Sequence, residues 1–210
     1  MSTSEIPSPR EAQQRLEQGN QRFKQAIADG AFQPRPPQKL HEAQRPFAIV
    51  LGCSDSRTPV EILFDQGFGD LFVVRVAGNV VAPSIVGSIE FAASAFGTRL
   101  VVVMGHTRCG AIAATVQALQ TGASHESKNI RSLTDRIAPH VESVVTRAPL
   151  ELPEQDLLRQ AMHANVKAAV DHLRHGSALL EELVLAGQVA VVGAEYELET
   201  GSVRFFEQVK

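Results

Sequence analysis

A chain of 210 residues can bury a sizeable core within one compact domain. With 44% hydrophobic and 20% charged residues it has the balance of a soluble globular protein, and a net charge of only -3 argues against a nucleic-acid partner. Its apolar runs fall far short of the roughly 20 residues needed to cross a bilayer, and its first residues hold no apolar signal core, so no membrane partner and a cytoplasmic location are expected.

In chain order, Pro9 to about Ala28 reads as a helix with Ser8 as N-cap, Pro9 at the first position and an apolar stripe of Ala12, Leu16, Phe23 and Ile27. Gly30 to Pro46 carries Pro34, Pro36, Pro37 and Pro46 and reads as an extended arm, so residues 1–46 form an N-terminal helix and Pro-rich arm ahead of a single α/β domain over 47–210. Phe47–Gly52, Leu71–Ala77, Leu100–Gly105 and Val189–Ala194 are continuous β-branched runs without alternation, as expected of strands covered on both faces. Helical spacing fills Ser84–Phe96, Cys109–Leu119, 127–147 and 154–185, with Pro139 and Pro153 as punctuation. A Glu199-Thr200-Gly201 turn leads to an edge strand over Ser202–Gln208. The expected fold is α/β, a mostly parallel four-stranded sheet with flanking helices, an additional edge strand and the N-terminal helical arm.

Ligands in such sheets collect at the carboxyl ends of the strands. Both cysteines of the chain fall there. Cys53 closes the first run, in Cys53-Ser54-Asp55-Ser56-Arg57, and His106 and Cys109 follow the third, in His106-Thr107-Arg108-Cys109-Gly110. In a reducing compartment two thiols are more informative as ligands or nucleophiles than as a bridge. Two cysteines and one histidine make the three-ligand set of a catalytic zinc site, whose fourth position is left to water. Alone, each residue has an ordinary reading: a small buried thiol, a hydrogen-bonded imidazole, a loop ion pair between Asp55 and Arg57. Their joint placement after two buried strands points to a Zn2+ centre held by Cys53, His106 and Cys109.

The Cys53–Arg57 block followed by His106-x-x-Cys109-Gly110 resembles the two signature motifs of β-class carbonic anhydrases, more the plant-like branch than the bicarbonate-inhibited bacterial one. Phe72–Arg75, Gly78-Asn79 and Gly193–Gly201 are similar to the family as well. The resemblance implies reversible hydration of carbon dioxide to bicarbonate and a proton, through a zinc-bound hydroxide oriented by the Asp55–Arg57 dyad. It further implies that Gln44 hydrogen-bonds substrate, that Phe72 and Phe91 line an apolar pocket, and that Gly110 allows close approach. The family's bicarbonate pocket uses a Trp–Arg–Tyr triad. Arg75 and Tyr196 occupy corresponding positions, but Val50 stands where the Trp would be, so strong bicarbonate cooperativity is not expected. His163, His172 and His175 read as solvated helix residues, and His125 as a possible proton relay. The family's N-terminal arm wraps a neighbouring subunit, which implies a homodimer or tetramer. Hydrolysis of carbonyl sulfide or carbon disulfide on the same scaffold, or a non-enzymatic zinc-stabilised oligomer, are the alternatives.

Overall fold

Ser8 opens the first helix of the computed structural model, which describes residues 6–31, 44–123 and 127–209. Helix α1 (Pro9–Ala28) begins with a capping box: the Glu11 N–H donates to Ser8 Oγ at 3.3 Å, and the Ser8 N–H to the Glu11 carboxylate at 2.8 Å. Ala12, Leu16 and Phe23 are buried as the stripe requires, whereas Ile27, at the end of the helix, is 56% exposed. The stripe packs on this chain's own sheet, among Val50, Val102, Val192 and Tyr196. Polar residues fasten it there. Gln13 exchanges hydrogen bonds with the Glu207 carbonyl and the Val209 N–H, and Asn20 with Leu63, Gly201 and Val203. The amphipathic pattern therefore has a partner within the chain. Most of the Pro-rich arm, including Pro34, Pro36 and Pro37, and also His125, lies outside the described residues.

Strands β1 (Ala48–Gly52), β2 (Leu71–Arg75), β3 (Leu100–His106), β4 (Ala190–Glu197) and β5 (Ser202–Phe205) form one sheet in the order β2-β1-β3-β4-β5. The first four pair in parallel and β5 runs antiparallel at the edge, as the expected α/β fold requires. Every residue of β1 and β3 is buried, which explains their unbroken apolar runs.

A four-residue helix α2 (Val60–Leu63) follows β1, α3 (Pro83–Phe96) follows β2, and α4 (Gly110–Thr121) follows β3. Helix α5 (Lys128–Thr146) runs through Pro139, and the last helical stretch divides at Gly176-Ser177 into α6 (Glu154–His175) and α7 (Ala178–Leu185). Helix α6 presses on β3 so closely that a Cβ at Gly105 would stand 2.5 Å from Met162 Sδ. The glycine immediately before His106 thus lets the helix seat against the strand carrying that ligand.

Candidate metal centre

The topology places β1 beside β3, so the loops leaving their carboxyl ends adjoin. Cys53 follows β1, His106 is the last residue of β3, and Cys109 is the N-cap of α4. Their ligand atoms lie within 4.8 Å of one another, all three residues are buried, and they form the one such group among the described residues.

His106 supplies the test of fit. Its Nδ1 lies 2.9 Å from the Thr107 carbonyl, which can only accept, so Nδ1 carries the proton and Nε2 presents a lone pair. That Nε2 is buried without a hydrogen-bond partner. Leaving such an atom unmet costs about 1–3 kcal/mol, a penalty that a coordinated cation removes. The thiols agree. The Cys53 thiol is pulled well below the ordinary thiol range, first by the Cys109 sulfhydryl, against burial, and by the N–H groups of Gly78 and Asp55. The Gly78 N–H stands 3.3 Å from Cys53 Sγ. Cys109 is pushed up by its contact with Cys53 and by burial, and a divalent ion would favour both sulfurs as thiolates. Two soft sulfurs and one imidazole suit zinc, with a fourth position left for water.

Three backbone arrangements hold the set. Thr58, fully buried behind the loop, donates through Oγ1 to the Asp55 carbonyl at 2.9 Å and reaches the Cys53 carbonyl at 3.2 Å. Arg75, at the end of β2, donates from Nε to the Cys53 carbonyl at 2.9 Å and from Nη2 to the Asp55 carbonyl at 2.7 Å. Gly78 takes φ 69°, and a Cβ there would meet Ile137 Cδ1 at 2.8 Å, so only glycine can aim this N–H at Cys53. Sequence reasoning missed Thr58 and gave Arg75 another part. Thr58 directly follows the Cys53–Arg57 block, where a hydroxyl folding back on its own loop is a common turn device, and that was the available signal.

Asp55 and Arg57 face each other in a bidentate pair. Arg57 Nε donates to Asp55 Oδ1 at 2.9 Å and Nη2 to Oδ2 at 2.7 Å, while the Arg57 N–H also donates to Oδ1 at 2.9 Å. The Arg57 guanidinium, outweighing partial burial, holds the Asp55 carboxyl well below the usual carboxylate range. The carboxylate is engaged with Arg57 and does not belong to the ligand group. A Cβ at Gly110 would meet nothing within 4 Å, so the first turn of α4 beside Cys109 faces open space.

The other residues picked from sequence lie elsewhere in this chain. Gln44 is exposed ahead of β1. Phe72 pairs in register with Ile49, four residues before Cys53, which is about 13 Å down the sheet from the ligand end. Its ring neighbours Phe91 at 6.5 Å and Phe96 at 6.0 Å, and Phe91, on α3, is 56% exposed. Val50 and Tyr196 are buried in the cluster under α1.

Two thiols and an imidazole converging at the carboxyl end of a parallel sheet define an α/β metal-site enzyme. Residues 48–203 match the family model described as carbonic anhydrase. The chain is 39% identical over 203 residues to a carbonic anhydrase of Mycolicibacterium smegmatis, covering 93% of this chain and 92% of that protein. It is 35% identical to carbonic anhydrase 2 of Mycobacterium tuberculosis, covering 92% and 91%. Among solved structures, tetrameric β-carbonic anhydrases of Sordaria macrospora share the fold with a TM-score of 0.69 at 22% identity, over 87% of this chain and 89% of that one. The β-carbonic anhydrase CafA of Aspergillus fumigatus does so with a TM-score of 0.71 at 22% identity, over 95% and 89%. The chain belongs to the carbonic anhydrase family, on the β-class fold, and is a lyase by that membership. No helix among the described residues is long and apolar enough to cross a membrane.

Proposed function

We propose that the chain hydrates carbon dioxide reversibly at a zinc ion held by Cys53 Sγ, His106 Nε2 and Cys109 Sγ, with Asp55 as the catalytic acceptor and Arg57 as its partner. The observation that carries the reading is the buried, unpartnered Nε2 of His106 with the Cys53 and Cys109 sulfurs in one group whose ligand atoms lie within 4.8 Å of one another. When bound, zinc supplies an acidified water as nucleophile, less acidic than at an all-imidazole centre because two thiolates cancel the ion's charge, so hydration rises from about pH 6 to about pH 9.

The remaining work falls to the protein. Asp55 Oδ1 already accepts two hydrogen bonds from Arg57, whereas Oδ2 accepts one and keeps a lone pair. Oδ2 is therefore the atom that accepts the hydrogen of the attacking water and turns its lone pair toward the carbon. Arg57 keeps that carboxylate ionised and unable to donate. Gly110 leaves room for the substrate, and Gln44, away from the ligands of its own chain, donates to it from a second copy of the chain. With Arg75 committed to the Cys53 and Asp55 carbonyls and valine at position 50, bicarbonate inhibition follows a simple hyperbolic curve.

The Phe72–Phe91–Phe96 group joins edge strand β2 to α3 and leaves Phe91 exposed, the kind of apolar surface that a second copy of the chain covers. In a homodimer it walls the apolar side of the neighbour's pocket, giving Phe72 and Phe91 their part although they stand away from the ligands of their own chain. Stopped-flow hydration on zinc-quantified protein tests the whole reading. Wild type turns over carbon dioxide, and Asp55→Asn, which keeps shape and metal but loses the ionised acceptor, is slower by about 100-fold or more. Equal rates for the two proteins would refute the role of Asp55.

A further inference from the structure

Between the two ligands of the third-strand loop, Arg108 has an unusual backbone. Its φ is 57°, in the left-handed region that a long side chain seldom occupies and that persists only where the surroundings fix it. Its guanidinium forms an ion pair with Glu199, in the turn between β4 and β5. Both side chains border a cavity of about 110 Å³, lined also by Gln155, Arg159 and Glu197, to which none of the three ligands contributes. The same hairpin grips the loop again: the Thr107 N–H donates to the Tyr196 carbonyl, and the Leu198 N–H to Thr107 Oγ1, each at 3.0 Å.

The bend at Arg108 has one consequence for the dyad. It presents the Arg108 carbonyl to Arg57 Nη2 at 3.3 Å, and that same Nη2 donates to Asp55 Oδ2 at 2.7 Å. The Arg57 guanidinium is thus held at two points, by the carboxylate and by the backbone of the opposite ligand loop. We propose that Glu199 is a positioning residue for Asp55, acting through Arg108 and Arg57. This inference rests on the function proposed above. Glu199 holds Arg108, the held loop offers its carbonyl to Arg57, and the anchored guanidinium sets the plane in which Asp55 Oδ2 meets the substrate water. Without the ion pair the loop keeps its hairpin bonds, but the carbonyl wanders and the carboxylate loses its alignment. At 54% and 64% side-chain exposure the Arg108–Glu199 pair adds little to stability, so its removal leaves the fold intact.

The test uses full-length, zinc-quantified protein: wild type, Asp55→Asn, Glu199→Gln, the charge-swapped pair Arg108→Glu with Glu199→Arg, and Glu199→Gln in an Arg57→Lys background. Glu199→Gln is expected to lower kcat by about three- to fivefold, the range a surface ion pair can carry, with KM, zinc content and Tm unchanged. The swapped pair recovers most of the loss. In the Arg57→Lys background Glu199→Gln adds nothing, since its effect passes through Arg57. Independently of activity, the Arg57 Nε–H, protected by Asp55 in wild type, exchanges faster by NMR in Glu199→Gln. Unchanged kcat, a loss that follows zinc content, or an undiminished effect in the Arg57→Lys background each overturns the proposal. An inactive wild type, or one matched by Asp55→Asn, overturns the functional reading instead, and the Arg57 exchange rate still decides the anchoring.

Discussion

Two polar clusters sit at adjoining levels of the neighbouring strands β3 and β4, and they are built on opposite plans. Glu195 pairs in register with Gly105, and Tyr196 with His106. The Glu195 carboxylate, 1% exposed, meets Arg159 Nε at 2.6 Å, Arg204 Nη2 at 2.9 Å and His163 Nε2 at 3.1 Å. Burial pushes this carboxyl up, but His163 and Arg159 outweigh it and bring it to about 2. Every charge there is answered by another from the same chain. The Cys53–His106–Cys109 cluster has a nitrogen without a hydrogen-bond partner and two sulfurs in contact, Cys53 pulled down and Cys109 pushed up. A cluster whose charges pair within the chain ties α6 and β5 to β4, whereas two thiols and an imidazole facing one another are suited to receive a cation. Burial of polar groups alone would not have separated them. Charge pairing does.

Removing a member of each cluster breaks the comparison in opposite ways. The largest effect is expected from His106→Ala, which abolishes stoichiometric zinc retention and lowers hydration roughly a hundredfold or more, measured by metal analysis and stopped-flow. Stability of the zinc-free protein should hold or rise, because the substitution removes an unsatisfied buried nitrogen. Glu195→Gln should do the reverse. It leaves three cationic or potentially cationic groups without their counter-charge and destabilises the fold by about 2–3 kcal/mol in denaturant titration, discounted because Arg159 and Arg204 can turn to solvent. Activity per folded, zinc-loaded molecule then stays within about twofold.

Acid sharpens the same contrast. A carboxyl whose folded pKa lies below its unfolded value lends stability above the unfolded value and loses it as pH falls through the folded one. For Glu195, lowered from 4.5 to about 2, the loss falls between those values and amounts to about 3 kcal/mol. In zinc-free protein, the acid limb of a Tm–pH curve should flatten in Glu195→Gln. The smallest effect is expected at the outer patch. Phe91→Ala on α3 leaves the isolated fold within about 1 kcal/mol, since the ring is half out, but weakens self-association by light scattering and lowers hydration about tenfold if a neighbour's pocket needs that wall. A monomer in wild type at micromolar concentration would remove that part of the reading.

Much of this was legible in the chain. The unbroken runs of β1 and β3 announced strands covered on both faces, and the Ser8-Pro9 start of α1 reads the same in sequence and in space, to which the structure adds the Glu11 half of a capping box. Strand ends were less legible. His106 and Glu195 to Glu197 belong to strands extended beyond their apolar runs, because pairing with β3 and β5 continues where hydrophobicity stops. The break at Gly176-Ser177 was missed because helical spacing continues across it, although Ser177 caps α7 by accepting from the Leu180 N–H.

The sequence by itself picked out the three candidate ligands and the α/β order, since thiolate, imidazole and β-branched runs carry their chemistry and periodicity locally. Only the tertiary structure decided that α1 covers its own sheet, that Arg75 and Thr58 brace the Cys53 loop, and that Phe72 stands away from the ligands it was expected to serve. These follow from which strand lies beside which, and at what register. Strand order and register are set by packing among distant segments, and no short stretch of chain records them.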